Sequence, residues 1–219
     1  MSRLYGEQHR TLQDAFGTTQ LADRVEAIAC KTEFDEDAKG FIEHLDMFFL
    51  SSVDHQGRPT VSFKGGDAGF VKVIDATTLM FPSYDGNGMF FSMGNISTNP
   101  QVGLLFISFE KPHRIRVQGT ATLSKEPALL SQFKEAEFVV LVKLSELWQN
   151  CPRYIPQMQK VRDSRYVPRS ACETPVAEWK RIDLMQDVIL EKDKEKVETL
   201  GTIDINSWVE KIKTGHPEA

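Results

Sequence analysis

Between Met47 and Leu123 the chain is interrupted too often for long helices and alternates too regularly for loops. Short runs of β-branched and aromatic residues, Met47–Val53, Pro59–Lys64, Phe70–Ile74, Thr78–Phe81, Val102–Phe109 and Arg114–Leu123, succeed one another with turn residues between them. Asp54-His-Gln-Gly57 supplies the geometry of a hairpin turn between the first two runs, and Asp75-Ala-Thr does so between the third and fourth. Consecutive strands of this kind predict an antiparallel sheet that curls into a closed or partly open barrel, because curling removes exposed edges. A helix is expected over Glu126–Glu137, and the β-branched run Phe138–Leu144 reads as a final strand. The fold class is therefore mainly β with α, a six- or seven-stranded antiparallel barrel with peripheral helices.

The flanks are helical or irregular. Leu12 and Phe16 are spaced for one helix face and Leu21, Val25 and Ile28 for another, with Gly17 as a break. A further helix over Glu36–Leu45 would bury Phe41, Ile42 and Leu45. These helices are expected to pack on the barrel. After Cys151, Pro152, Pro156, Pro168 and Pro175 prevent a long regular element. Arg162, Arg165 and Arg169 form a basic cluster, read either as a salt-bridged surface or as a contribution to a second subunit's site. Asp204 caps a short helix expected to bury Ile205, Trp208, Val209 and Ile212. The organisation expected is residues 1–45 as a helical extension, 46–155 as the barrel and 156–219 as an extension of the same domain.

Composition removes several function classes. At 219 residues, 41% hydrophobic and 26% charged, the chain has the make-up of a globular protein with a real core. A formal net charge of -5, with no basic stripe, gives no footprint for nucleic acid. No run approaches the ~20 apolar residues of a membrane span, and the start Met-Ser-Arg-Leu-Tyr-Gly-Glu lacks a signal-peptide core, so a cytoplasmic location is expected. Three widely spaced cysteines, Cys30, Cys151 and Cys172, make neither a disulfide framework nor a Cys-x-x-Cys motif. His9, His44, His55, His113 and His216 lack ligand spacing, so no metal centre is expected. His113 reads either as a loop residue or as a neighbour of the ligand site.

Three segments then describe a site for a phosphate-bearing ligand. Tyr84-Asp-Gly-Asn-Gly88 is a glycine-rich turn opening a helix, whose amides and dipole favour an anion. An ordinary turn before a capped helix has the same pattern. Asn87 and Ser92 add side-chain donors. On the strand before it Val61 and Phe63 share one face, and Thr60, Ser62 and Lys64 the other. Arg114 and Arg116 project together from a later strand.

The order of these segments resembles the pyridoxamine 5′-phosphate oxidase-like flavoproteins, which have the FMN-binding split barrel. The marks are Gly86-Asn87, Ser92-Met-Gly-Asn-Ile96, Asn99-Pro-Gln-Val-Gly-Leu-Leu-Phe106, Arg116-Val-Gln-Gly119-Thr-Ala and Cys151-Pro-Arg-Tyr-Ile155. They are similar to an uncharacterised branch rather than to the vitamin-processing enzyme, whose substrate-holding histidine and arginine have no counterpart here. The resemblance implies FMN as cofactor, with the ring system and ribityl chain against Val61, Ser62, Phe63 and Lys64. It places the phosphate at the turn and helix from Pro82 to Ser92, including Asn87, Gly88 and Met89, and the ring edge by Arg114 and Arg116.

The family enzyme's Arg-Lys phosphate pair is replaced by Asn87-Gly88. Amides, hydroxyls and Lys64 or Arg58 would then hold the phosphate. The resemblance further implies a homodimer with flavin at the subunit interface, acting as an oxidoreductase on a small molecule with a nicotinamide or similar donor. The alternatives are a non-catalytic module carrying flavin or haem, and a deazaflavin-dependent reductase. Flavin redox chemistry requires no protein acid, base or nucleophile, so no catalytic residue is assigned.

Overall fold

A computed structural model describes residues 2–218. The chain divides after Val161 into two compact units. The first begins with helices α1 (Glu7–Ala15) and α2 (Thr19–Ala29) and the two-residue strand β1 (Cys30–Lys31). Helix α3 (Glu36–His44), capped by the Asp35 carboxylate on the Ala38 amide, leads into strands β2 (Met47–Val53), β3 (Pro59–Gly65), β4 (Lys72–Asp75) and β5 (Thr78–Tyr84). Helix α4 (Phe91–Thr98), strands β6 (Gln101–Ser108) and β7 (His113–Ser124), the single turn α5 (Pro127–Leu130) and the long strand β8 (Ala136–Asn150) complete the unit.

Every strand pairing is antiparallel, in the order β3-β2-β6-β7-β8-β5-β4, with β1 added beside β8. The sheet is a split barrel: its two edges, β3 and β4, are consecutive in sequence and are not bonded to each other. Helix α3 sits beside β4. The Glu43 carboxylate accepts the Val73 amide at 2.9 Å, the Glu43 carbonyl accepts Gly69 N–H, and the Asp46 carbonyl accepts Gly66 N–H. Residues Val139 to Lys143 of β8 pair with β5 on one side and β7 on the other, which turns the sheet onto itself.

Alternation along β2 sends Phe48, Leu50 and Ser52 inward, where all three are buried. Phe48 is the hub of the core, with ring centroids of Phe81, Phe106 and Phe70 at 4.9, 5.1 and 5.9 Å. Ile42 of α3 joins the same cluster, as expected of that helix.

Two expectations are corrected in this unit. The helix over 126–137 is only Pro127–Leu130. Its apolar residues Leu129, Leu130 and Phe133 instead make a small cluster with Met80 and Val139, and Ala136 already pairs with Tyr84 as the start of β8. Helices α1 and α2 bury no side chain. Polar groups hold them in place: Arg3 pairs with Glu146 of β8 at 2.9 Å, and Arg10 bridges Asp23 at 2.7 Å.

The second unit contains two 3-10 turns (Glu178–Arg181 and Asp183–Met185) and helices α6 (Glu191–Leu200) and α7 (Ile205–Lys213). It is organised around ion pairs of the buried Glu178 with Arg181 and Lys211, and of Lys180 with Asp193. Asp204 caps α7 as the sequence indicates, but Ile205 and Ile212 are exposed and Trp208 and Val209 only half-buried. Arg165 of the basic cluster pairs with Glu218, and Arg162 and Arg169 donate to the carbonyls of Gly215 and Ser164. No described helix is long and apolar enough to cross a membrane.

Candidate functional site

The residues singled out from the sequence lie on both faces of the sheet. Register decides which. Thr60, Ser62 and Lys64 stand opposite Ser52, Leu50 and Phe48 and share their inward face. Val61 and Phe63 stand opposite Ser51 and Phe49 on the outward face, where they are 70% and 62% exposed. From Phe49 the outward row continues through Leu105 to Arg116 and on to Trp148, with Arg114 beside Arg116 on the same face.

The inward set forms a polar seam between β3 and α4. Ser62 Oγ and Ser92 Oγ are 2.6 Å apart, and Ser52 Oγ and Thr60 Oγ1 are 3.0 Å apart. Asn95 Nδ2 donates to both of the latter, at 3.1 and 3.4 Å. Ser52, Ser92 and Asn95 are buried, so these bonds meet groups that would otherwise carry a desolvation cost. Sequence reasoning did not single out Ser52 or Asn95. The available signal was the three-residue spacing of Ser92 and Asn95, which puts both on one helix face.

Lys64 ends this seam. Its ammonium is half-buried, and burial alone lowers its pKa, with no neighbouring charge or hydrogen bond opposing the shift. An anion placed beside it would reverse that direction by favouring the charged form. Arg58, the other cation considered for a phosphate, is turned onto Asp54 with Nε and Nη2 at 2.8 and 2.7 Å from Oδ2.

The turn before α4 is engaged with itself. Asn87 Oδ1 accepts the Met89 amide at 3.1 Å and its Nδ2 lies 3.2 Å from Met89 Sδ, while Gly88 takes φ +76°, a left-handed conformation suited to glycine. Phe90, at φ 47°, precedes the helix and offers its first amides no side-chain cap, and those amides have no intrahelical carbonyl to donate to. Pro82 is buried within β5 opposite Val139. A cavity of about 240 Å³ lies between the β2–β3 turn and the start of α4, lined by Asp54, His55, Phe90, Phe91 and Asn95 among others. Pockets that enclose drug-sized ligands begin near 300 Å³.

On the outward face Arg116 donates to Asn150 Oδ1 at 3.1 Å, while Arg114 Nε is buried without a hydrogen-bond partner. His113 packs edge-on against Phe41 at 4.3 Å, and burial lowers its pKa. Among the described residues, no three His, Cys, Asp or Glu groups are placed to hold a metal ion.

Asp54 gives the turn beneath the cavity a pH dependence. The Arg58 guanidinium first, then the backbone amides of Arg58 and Gln56, hold its carboxyl down at about 2. The ordinary value is about 4. Its contribution to stability is therefore complete above pH 4 and is lost as the pH falls through 2. Acid unfolding followed by circular dichroism should show a decline between pH 4 and 2 that is shallower in Asp54→Asn.

The family model described as pyridoxamine 5′-phosphate oxidase matches residues 34–150. Similar solved structures include a candidate pyridoxamine 5′-phosphate oxidase from Lactobacillus delbrueckii (20% identity, TM-score 0.45, covering 54% of this chain and 95% of that one). HupZ of group A Streptococcus matches at 16% identity with a TM-score of 0.44, covering 57% of this chain and 99% of that one. An FMN-binding protein from Syntrophomonas wolfei matches at 10% identity with a TM-score of 0.43, covering 64% and 97%. No curated protein matches the sequence.

Proposed function

The chain belongs to the pyridoxamine 5′-phosphate oxidase family, and from that premise we propose that it binds FMN at the interface of a homodimer and serves as an FMN-dependent oxidoreductase for a small molecule. The observation that carries the reading is Lys64, a half-buried cation whose shift has burial as its only cause, at the end of a seam that includes Ser62 and Ser92. The opening amides of α4 add donors for a phosphate. Arg114, with a buried Nε lacking a hydrogen-bond partner, fits a polar ring edge on the other face.

The division of these residues between two faces supports a site shared by two chains. β3 is an edge strand, so its free backbone groups remain open to a ligand's hydrogen-bonding edge. Lys64 and Ser62 would hold the phosphate from one chain, and the outward Arg114 and Arg116 would be presented by the other. Bound FMN would supply the hydride or electron transfer. The protein's part is to orient the flavin and to place cationic groups where charge develops.

Lys64→Met tests the phosphate assignment. A hydrogen bond to a charged group contributes about 1.5–3 kcal/mol, so FMN affinity should fall roughly ten- to a hundredfold in a fluorescence titration. Unchanged affinity would move the phosphate elsewhere. The absorbance spectrum of the protein as purified distinguishes FMN from deazaflavin and haem. Bleaching by NADH or NADPH marks an enzyme, and flavin binding without turnover with any donor marks a carrier.

A further inference from the structure

The hairpin of α1 and α2 presents its apolar residues to water. Leu12, Phe16, Leu21, Val25 and Ile28 are 62, 78, 63, 46 and 72% exposed. Leu21, Val25 and Ile28 recur at the spacing of a single helix face, the pattern of a stripe meant to be covered. Single exposed apolar residues need no explanation, but a stripe spanning two helices marks an interaction surface.

A second apolar set lies at the other end of the same sheet. Val61 and Phe63, on the outward face of β3, are 70 and 62% exposed, and Met89, Phe90 and Phe91, at the start of α4 on the inward side of the same edge, are 67, 49 and 45% exposed. The outward row Phe49, Leu105, Arg116 and Trp148 runs between the two, since Trp148 pairs with Cys30 directly after α2, and the exposed Arg116 interrupts its apolar character. Within one chain the sets remain separate, each facing water. Five strand steps from β1 to β3, at about 4.8 Å each, amount to roughly 24 Å across the sheet.

We infer that the α1–α2 hairpin acts on a second copy of this chain, lying over the partner's β3 edge and α4 entrance while the partner's hairpin does the same in return. A two-fold interface requires such self-complementarity, in which one patch meets a different patch and the relation is reciprocal. The two sets together expose roughly 1,000 Å² of apolar side chain per chain, against the about 800 Å² per partner of a standard stable interface. The inference rests on the homodimeric flavin reading and deepens it by naming what the partner adds. Its hairpin roofs the β3 edge and excludes water from the flavin.

The test uses the full chain with p-benzoylphenylalanine in place of Phe16, assembled from isotopically light and heavy copies and photolysed. Expected are light–heavy cross-links from position 16 to peptides spanning residues 59–65 or 89–91. The double variant Phe16→Glu, Ile28→Glu, which alters no buried side chain, should raise the dimer dissociation constant at least tenfold in sedimentation equilibrium and leave the circular dichroism unchanged. A flavin-loaded dimer whose cross-links stay within one chain, or whose dissociation constant is unaltered, overturns the hairpin inference and leaves the flavin reading standing. A monomer that still retains FMN overturns the shared site and the inference together.

Discussion

Replacing Phe48 by alanine should lower the stability of the barrel by about 3–5 kcal/mol, the range for a phenylalanine removed from a core that cannot fully collapse. Phe48 is fully buried, and its ring meets Phe70, Phe81 and Phe106, which come from the β3–β4 connection, β5 and β6. Three separate elements would have to move together to fill the void. In urea the midpoint should fall with the slope unchanged, the sign of lost stability rather than an altered unfolded state. The consequence reaches the site, because Phe48 pairs directly with Lys64 across β2 and β3. FMN affinity should therefore fall in this variant even at temperatures where it remains folded.

Gly119→Ala should destabilise by about 2–3 kcal/mol, the upper part of the range for overpacking. A Cβ at that position would lie 2.3 Å from the Lys143 carbonyl oxygen and 2.9 Å from Val142 Cγ1. The nearer obstacle is backbone, fixed by β8's pairing with both β5 and β7, so no side-chain rotation relieves it. The pairing of β7 with β8 also shifts register between Gln118 and Gly119, where the strands approach closely. At about 2–4 °C per kcal/mol for a unit of this size, the thermal midpoint should drop by roughly 5–10 °C. Gly40→Ala is the control. It lies inside α3 with nothing within 4 Å of its Cβ, and alanine there should stabilise by up to about 1 kcal/mol.

The strands were legible because alternation with period two survives in a sheet buried on one face, and because Asp54-His-Gln-Gly57 has the chemistry of the turn it makes. Residues 126–137 misled because Leu129, Leu130 and Phe133 are spaced as a helix would space them, while tertiary pairing takes Ala136 onward into β8. On the N-terminal hairpin the stripes were placed correctly and their covering was not. Periodicity shows that Leu12, Phe16, Leu21, Val25 and Ile28 form faces, but it carries no information on which surface those faces meet.

Site residues divide in the same way. Strand parity alone separates Ser62 and Lys64 from Val61 and Phe63. That Arg114 and Arg116 fall on the face of Val61 and Phe63 emerges only through the register of β2, β6 and β7. Ser52 and Asn95 carry no signal of their own, since a small polar residue gains meaning from a partner distant in sequence. Arg58 was open to a phosphate role in the sequence because its engagement with Asp54 depends on how the turn closes.

The most direct test of a phosphate grip at Lys64, Ser92 and the start of α4 compares FMN with riboflavin, which differ only in the phosphate. Fluorescence titration of the full chain should give FMN at least tenfold tighter than riboflavin, with the advantage abolished in Lys64→Met. Equal affinity for the two flavins, or binding of neither, would contradict the account.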